Sequence, residues 1–139
     1  MNRNFTIHFK SDMPYVKTVV FKALRFLSES VPKLSQDDIA ELRLVFSELL
    51  YNAVVHGNKG DINKIVRLEI EIKNNIVYAY IEDEGSGFDY TSLIKQINDE
   101  DGLSESGRGV KLAYLLTDKL VFFMPGNAIH FTKKVATHG

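Results

Sequence analysis

The chain contains no cysteine among its 139 residues, which excludes disulfide bonds, thiolate metal sites and a cysteine nucleophile. It has no excess of either charge, since 17 basic residues against 18 acidic ones leave a net charge of −1. Nothing overall therefore attracts nucleic acid or an anionic membrane. No window approaches the roughly 18 apolar residues of a membrane helix. We expect a soluble, cytoplasmic protein with a single domain over residues 1–139.

Hydrophobic periodicity predicts a sheet with helices packed on one of its faces, which is an α+β fold. Ser35 is the expected N-cap of the second helix, which should run to about His56 and stop through positive φ angles at Gly57 and Asn58. The predicted elements in chain order are strand 5–9, helices 15–31 and 36–56, strands 65–72 and 76–82, a short helix 90–97, a helix following Gly109, and strands 120–124 and 128–135.

Three polar residues lie four apart on the second predicted helix, which is otherwise apolar. Glu48, Asn52 and His56 would share one helix face. A carboxylate held on a buried helix suits a general base, so Glu48 is the catalytic candidate. Asn52 offers an amide oxygen for Mg²⁺, which takes few protein ligands, and His56 is better explained as a structural residue of the helix end. A solvated helix face is the simpler alternative for all three.

Two glycine pairs follow farther along the chain. Asp83 ends a strand just before Gly85 and Gly87, so it could accept a hydrogen bond from an exocyclic amine while the glycines allow close approach of a purine. Gly107-Arg108-Gly109 precedes an apolar helix and offers backbone N–H groups and a guanidinium to phosphate. An acidic turn and a flexible loop at a helix start are the alternatives. The P-loop and dinucleotide-binding patterns are both missing.

Taken in order, three motifs resemble the GHKL ATP-binding superfamily, and within it the anti-sigma-factor serine/threonine kinases. The motifs are Glu-x-x-x-Asn-Ala-x-x-His-Gly-Asn, Asp-x-Gly-x-Gly-Phe, and Gly-x-Gly before an apolar helix. The resemblance covers essentially the whole chain. It implies the Bergerat type of two-layer sandwich, with a mixed and mostly antiparallel sheet and helices on one face.

The resemblance also implies roles for individual residues around ATP. Glu48 would activate a serine or threonine hydroxyl of a partner protein, and Asn52 would bind Mg²⁺. Asp83 would recognise the adenine amine, while Gly85 and Gly87 would line the adenine pocket.

The segment between Phe88 and Gly107 would, by the same resemblance, form a lid over the triphosphate. Gly107-Arg108-Gly109 would hinge this lid and contact phosphates. Related kinases often carry a basic residue just before this glycine box, whereas this chain has Ser104-Glu105-Ser106. Arg108 is the candidate replacement for that basic residue.

The implied function is a Mg²⁺-ATP-dependent kinase that phosphorylates a small anti-anti-sigma protein of the STAS type and also binds a sigma factor. The resemblance implies neither direct nucleic-acid binding nor a membrane partner, and related kinases are commonly homodimers. One alternative is an ATP-binding docking module without efficient phosphotransfer. Another is the catalytic domain of a histidine kinase, which we rank last because no helix hairpin with a phosphoacceptor histidine precedes the motifs.

Overall fold

The computed structural model describes residues 3–87, 105–123 and 127–136, with the side chains of residues 105 and 106 excepted. The strands within this part are β1 (Arg3–Lys10), β2 (Ile65–Lys73), β3 (Ile76–Glu82), β4 (Lys119–Phe123) and β5 (Ala128–Lys134). The helices are α1 (Met13–Ser30), α2 (Gln36–Asn52) and α3 (Glu105–Leu116), and a π-helical turn (Ala53–Gly57) continues α2. The predicted helix 90–97, the lid segment and part of the turn before β5 lie outside the described residues.

The strands form one sheet in the order β1-β2-β3-β5-β4, and each described pair of neighbours is antiparallel. Alternate residues of the inner strands are buried, such as Val66, Leu68 and Ile70 of β2. These side chains and those of α1, α2 and α3 form a single core, so the helices cover one face of the sheet. The expected α+β sandwich is confirmed.

Local sequence signals explain where most of the elements begin and end. Ser35 caps α2, because its hydroxyl accepts a hydrogen bond from the Asp38 N–H at 3.1 Å. The hairpin between β2 and β3 turns through Asn74 and Asn75, whose φ angles of 53° and 62° are left-handed. Within the described residues, none of the helices combines the length and apolar character needed to cross a bilayer.

The structure corrects two details of the predicted helix ends. The helical segment ends at Gly57 with Asn58 as its cap, as predicted, but Asn58 has a φ of −88° and the left-handed residues are Lys59 and Gly60, at 54° and 69°, so the predicted positive φ angles at Gly57 and Asn58 are wrong. The last helix begins at Glu105, so the second glycine pair lies inside its first two turns and does not precede it. The lack of a Cβ atom at Gly57 and at Gly109 instead allows close packing against Asp83 and Glu48, respectively.

Candidate functional site

Two of the predicted site residues line a cavity between the helices and the sheet. Asn52 and Leu49 of α2 line this cavity together with Asp83, which follows β3. The cavity volume is about 30 Å³, which is well below that of most small-molecule sites, and the cavity opens to solvent at its mouth. The remaining walls are mainly apolar and come from Ala53, Ile81, Val110, Phe122, Ala128 and Ile129, with Asn127 at one side.

The carboxylate of Asp83 is the main polar group of this cavity. The residue is only 7% exposed, and its Oδ1 accepts a hydrogen bond from the Gly85 N–H at 2.7 Å. Burial is the largest influence on the pKa of Asp83 and raises it to about 6, although the Gly85 hydrogen bond acts in the opposite direction. At neutral pH the group is therefore an anionic acceptor inside an apolar slot.

Two glycines enclose this carboxylate because neither position has room for a side chain. A Cβ atom on Gly57 would lie 2.1 Å from Asp83 Oδ2. One on Gly85 would lie 2.1 Å from the Gly57 carbonyl oxygen and 2.9 Å from Asp83 Oδ1. The absence of a Cβ atom on Gly85 therefore makes room for the Gly57 carbonyl and the Asp83 carboxylate. Gly57 was missed as a site residue, and only its place in the His-Gly-Asn motif could have pointed to it.

The π-helical turn brings Gly57 to this position. The Asn58 N–H donates to the Ala53 carbonyl five residues earlier, at 2.9 Å, which widens the turn. His56 is exposed, and its ring lies edge-on to Tyr51 with 6.0 Å between ring centroids. His56 therefore contacts Tyr51, which is five positions before it in the chain.

Asn127 holds the backbone of Asp83 from the side of the sheet. The Asp83 N–H donates to the Asn127 carbonyl, and Asn127 Nδ2 donates to the Asp83 carbonyl, both at 2.9 Å. These two bonds extend the β3–β5 pairing by one residue beyond the strands. Asn127 was also missed, because in the sequence it looks like an ordinary turn residue.

Glu48 lies beside the cavity and does not line it. A Cβ atom on Gly109 would come within 2.4 Å of Glu48 Oε2, so α3 packs directly against this carboxylate. Leu49 and Val110, the next residues on the two helices, both line the cavity. Glu48, Asn52 and Asp83 are therefore neighbours along one cleft.

The rest of the second glycine pair lies at the start of α3. Gly107 is buried and Arg108 is exposed, and both lie in the first turn of α3. Gly109 is one residue farther along the same helix. Gly87 has a left-handed φ of 88°, which a glycine adopts without strain.

Comparison with known proteins identifies the family of the chain. Residues 9–133 match the histidine kinase-like ATPase domain, and the chain belongs to this family. It is 35% identical over 107 residues to the serine-protein kinase RsbW of Staphylococcus aureus, covering 71% of this chain and 67% of that protein.

Two further relatives carry the name anti-sigma F factor. The one from Geobacillus thermodenitrificans is 29% identical over 105 residues, or 72% of each chain. The one from Geobacillus sp. strain WCH70 is 30% identical over 89 residues, or 63% of this chain and 61% of the relative. The chain thus spans about three fifths of the length of this last protein.

Proposed function

We propose that the chain binds ATP with its adenine in the cavity beside Asp83. The supporting observation is a buried anionic acceptor at the end of an apolar slot, enclosed by Gly57 and Gly85. The adenine amine donates to Asp83, while Ile81 and Phe122 offer apolar surface to the ring. The family description supports a nucleoside triphosphate as the ligand.

The triphosphate in this proposal extends from the cavity toward Asn52 and the start of α3. Asn52 fits the demands of Mg²⁺ because it lines the cavity and carries an amide oxygen, and phosphate oxygens with water would complete the shell of this ion. The described residues contain no cluster of three carboxylate or imidazole side chains that would form a cage of protein ligands alone. When bound, Mg²⁺ neutralises phosphate charge. Gly107 and Arg108 supply N–H and guanidinium donors.

Glu48 is the proposed general base of a transfer to a serine or threonine hydroxyl. It accepts the hydroxyl proton as the oxygen forms a bond to the γ-phosphorus, and the bond to the β-γ bridging oxygen breaks to release ADP. Its place on helix α2 and its contact with Gly109 keep the carboxylate beside the cleft. Positioning and charge neutralisation supply most of the catalysis in such a reaction.

The proposed substrate is a small anti-anti-sigma protein of the STAS type, and the proposed second partner is a sigma factor. The support comes from the relatives named anti-sigma F factor and serine-protein kinase RsbW. Competition between the two partners would make the protein a switch. A cytoplasmic location and a homodimer belong to the same proposal.

The test is transfer of labelled γ-phosphate from ATP to a STAS-type partner, with the wild type compared with Glu48→Gln. We expect the transfer rate to fall by about 10²–10⁴ while ATP affinity stays the same, because the variant loses only the base. Asp37→Asn is a matched control, since it removes an exposed carboxylate at the other end of α2. Equal labelling by Glu48→Gln and wild type would reject Glu48 as the base.

The second candidate is a docking module that binds ATP without efficient transfer. The acidic Glu105 favours it, because this residue stands where related kinases often carry a basic one. In that case ATP raises the melting temperature of the protein, yet no label reaches any partner that binds it. A histidine kinase domain is the third candidate, and it predicts label on a histidine of a partner chain.

A further inference from the structure

Asn58 is fully buried at the end of the π-helical turn, and its side chain joins segments that are distant in the sequence. Its Nδ2 donates to Ser11 Oγ at 2.7 Å and to the Ile65 carbonyl at 2.9 Å. Ser11 Oγ in turn donates to the Lys64 carbonyl at 2.8 Å. Both Nδ2 hydrogens are thus used to hold the end of β1 against the start of β2.

The remaining polar atom of this side chain serves the candidate adenine pocket. Asn58 Oδ1 accepts a hydrogen bond from the Glu84 N–H at 2.7 Å, and Glu84 directly follows Asp83. The next amide, that of Gly85, donates to Asp83 Oδ1. Asn58 therefore fixes the peptide group that lies between the recognising carboxylate and the amide that binds it.

The same residue also fixes the opposite wall of the pocket. The Asn58 N–H bonds to the Ala53 carbonyl and closes the π-helical turn, so Gly57 is held against Asp83 from one side. Main chain and side chain of Asn58 thus connect the two pieces that enclose the carboxylate. A buried amide with all its groups bonded has little freedom to move.

We propose that Asn58 is a positioning residue that sets the Asp83 carboxylate for recognition of the adenine amine. The inference rests on the proposed ATP site, and it adds a residue that touches no ligand. Loss of Oδ1 leaves the Glu84 N–H without its acceptor, and the loop turns to find another one. The Asp83 oxygens then lose the orientation that the Gly85 amide gives them.

The experiment compares binding of ATP and inosine triphosphate, in which a carbonyl replaces the adenine amine. In the wild type we expect clear preference for ATP, and in Asn58→Ala about tenfold weaker ATP binding with little change for inosine triphosphate. Ser11→Ala is the matched control, because it removes a hydroxyl from the same buried network and leaves the Asn58–Glu84 bond in place. It should lower the melting temperature but keep the preference for ATP.

A second variant covers the case in which Asn58→Ala fails to fold. Asn58→Ser stays polar and leaves room for a water molecule, yet its oxygen is too short to reach the Glu84 N–H. We expect it to lose the preference for ATP as well. In an Asp83→Asn background, neither Asn58 substitution should weaken ATP binding further.

The outcomes separate this inference from the proposed function. A folded Asn58 variant with the wild-type preference for ATP overturns the positioning role while leaving the ATP site intact. Equal loss of preference in Ser11→Ala and Asn58→Ala also overturns it, because a general loosening of the network would then explain both. A wild type that binds neither nucleotide rejects the proposed function itself.

Discussion

The cleft has one end at Asp83 and the other at Glu48. At both ends glycines leave room for a carboxylate, but the two ends differ in stiffness. At the Asp83 end, a Cβ on Gly57 would meet a short, buried carboxylate at 2.1 Å, and one on Gly85 would meet backbone at 2.1 Å. At the Glu48 end, a Cβ on Gly109 would meet Oε2 of a longer, half-buried side chain at 2.4 Å. At the first end, a side chain on Gly85 would displace backbone and one on Gly57 would displace a buried carboxylate, whereas the second end can yield by rotating one side chain.

This difference in stiffness suits the two tasks proposed for the cleft, which are recognition of the base at Asp83 and acceptance of a proton at Glu48. Recognition of a base depends on a carboxylate that is held in place before the ligand arrives, since ordering it afterwards would reduce affinity. A general base must instead meet a hydroxyl that another protein delivers, so some freedom at Glu48 costs less. The comparison therefore predicts that substitutions at the Asp83 end affect folding and binding, and that those at the Glu48 end affect phosphotransfer.

The largest effect is expected for Gly57→Ala. The added methyl group would overlap the Asp83 carboxylate in a buried place, and we expect the free energy of unfolding to fall by about 3 kcal/mol with loss of ATP binding. Urea denaturation measures the change. The control is Gly60→Ala, where a Cβ meets no atom within 4 Å and only the left-handed φ opposes the substitution. Equal destabilisation by both variants would contradict the rigid description of the Asp83 end.

Asp83→Asn should weaken ATP binding about 50-fold at neutral pH, because it replaces the charged acceptor by a neutral amide. Isothermal titration calorimetry measures the affinity. Glu82→Gln is the matched control, since its carboxylate is the preceding residue and accepts from the Tyr80 hydroxyl at 2.8 Å, away from the cavity. Similar losses in the two variants would show that general charge, and no specific bond to Asp83, attracts the nucleotide.

The raised pKa of Asp83 predicts a dependence of stability on pH. Its pKa is about 6 in the folded chain against an ordinary value of 3.8, so the folded state binds the proton more tightly. The resulting stabilisation is complete below the unfolded pKa and is lost as pH rises through about 6. We expect the wild type without nucleotide to lose about 2 kcal/mol more than Asp83→Asn between about pH 4 and about pH 7.5.

The comparison with Asp83→Asn is needed because His130 acts in the opposite direction. Burial, aided by Lys119, lowers the pKa of His130, so its contribution is lost as pH falls. Both the wild type and Asp83→Asn contain His130, so its contribution cancels when the stability of one is subtracted from that of the other. Identical pH profiles of unfolding, measured by urea at each pH, would show that Asp83 is not buried as a charged group.

Much of this arrangement could be predicted from the sequence, because the signals are local. Alternation of apolar residues predicted the strands, and Ser35 predicted the start of α2. Asp83 and Asn52 were identified by motif order, and both line the cavity. Regular spacing on α2 also placed Glu48 beside the cleft, although not in the cavity wall.

The missed features depend on partners far away in the chain. Asn58 and Asn127 look like turn residues, but their side chains bond to groups 26 and 44 residues away, respectively. The role of Gly57 depends on a carboxylate that only the folded chain brings to it. The π-helical turn leaves no mark in the spacing of Glu48, Asn52 and His56, because the same residues fit a regular helix.

Gly109→Ala should have the smallest effect on stability and shows the difference between the two ends most directly. Alanine favours the helix by up to about 1 kcal/mol, which offsets the cost of pushing Glu48 aside, so unfolding should change little. The displaced carboxylate should slow phosphotransfer about fivefold while ATP affinity stays the same.

The control for the transfer rate of Gly109→Ala is Tyr114→Ala, an exposed substitution on the same helix. In a Glu48→Gln background the alanine should have no further effect on the rate, because the group it displaces is already inactive. A loss of stability as large as that of Gly57→Ala would mean that α3 holds the Glu48 end as rigidly as the backbone holds Asp83.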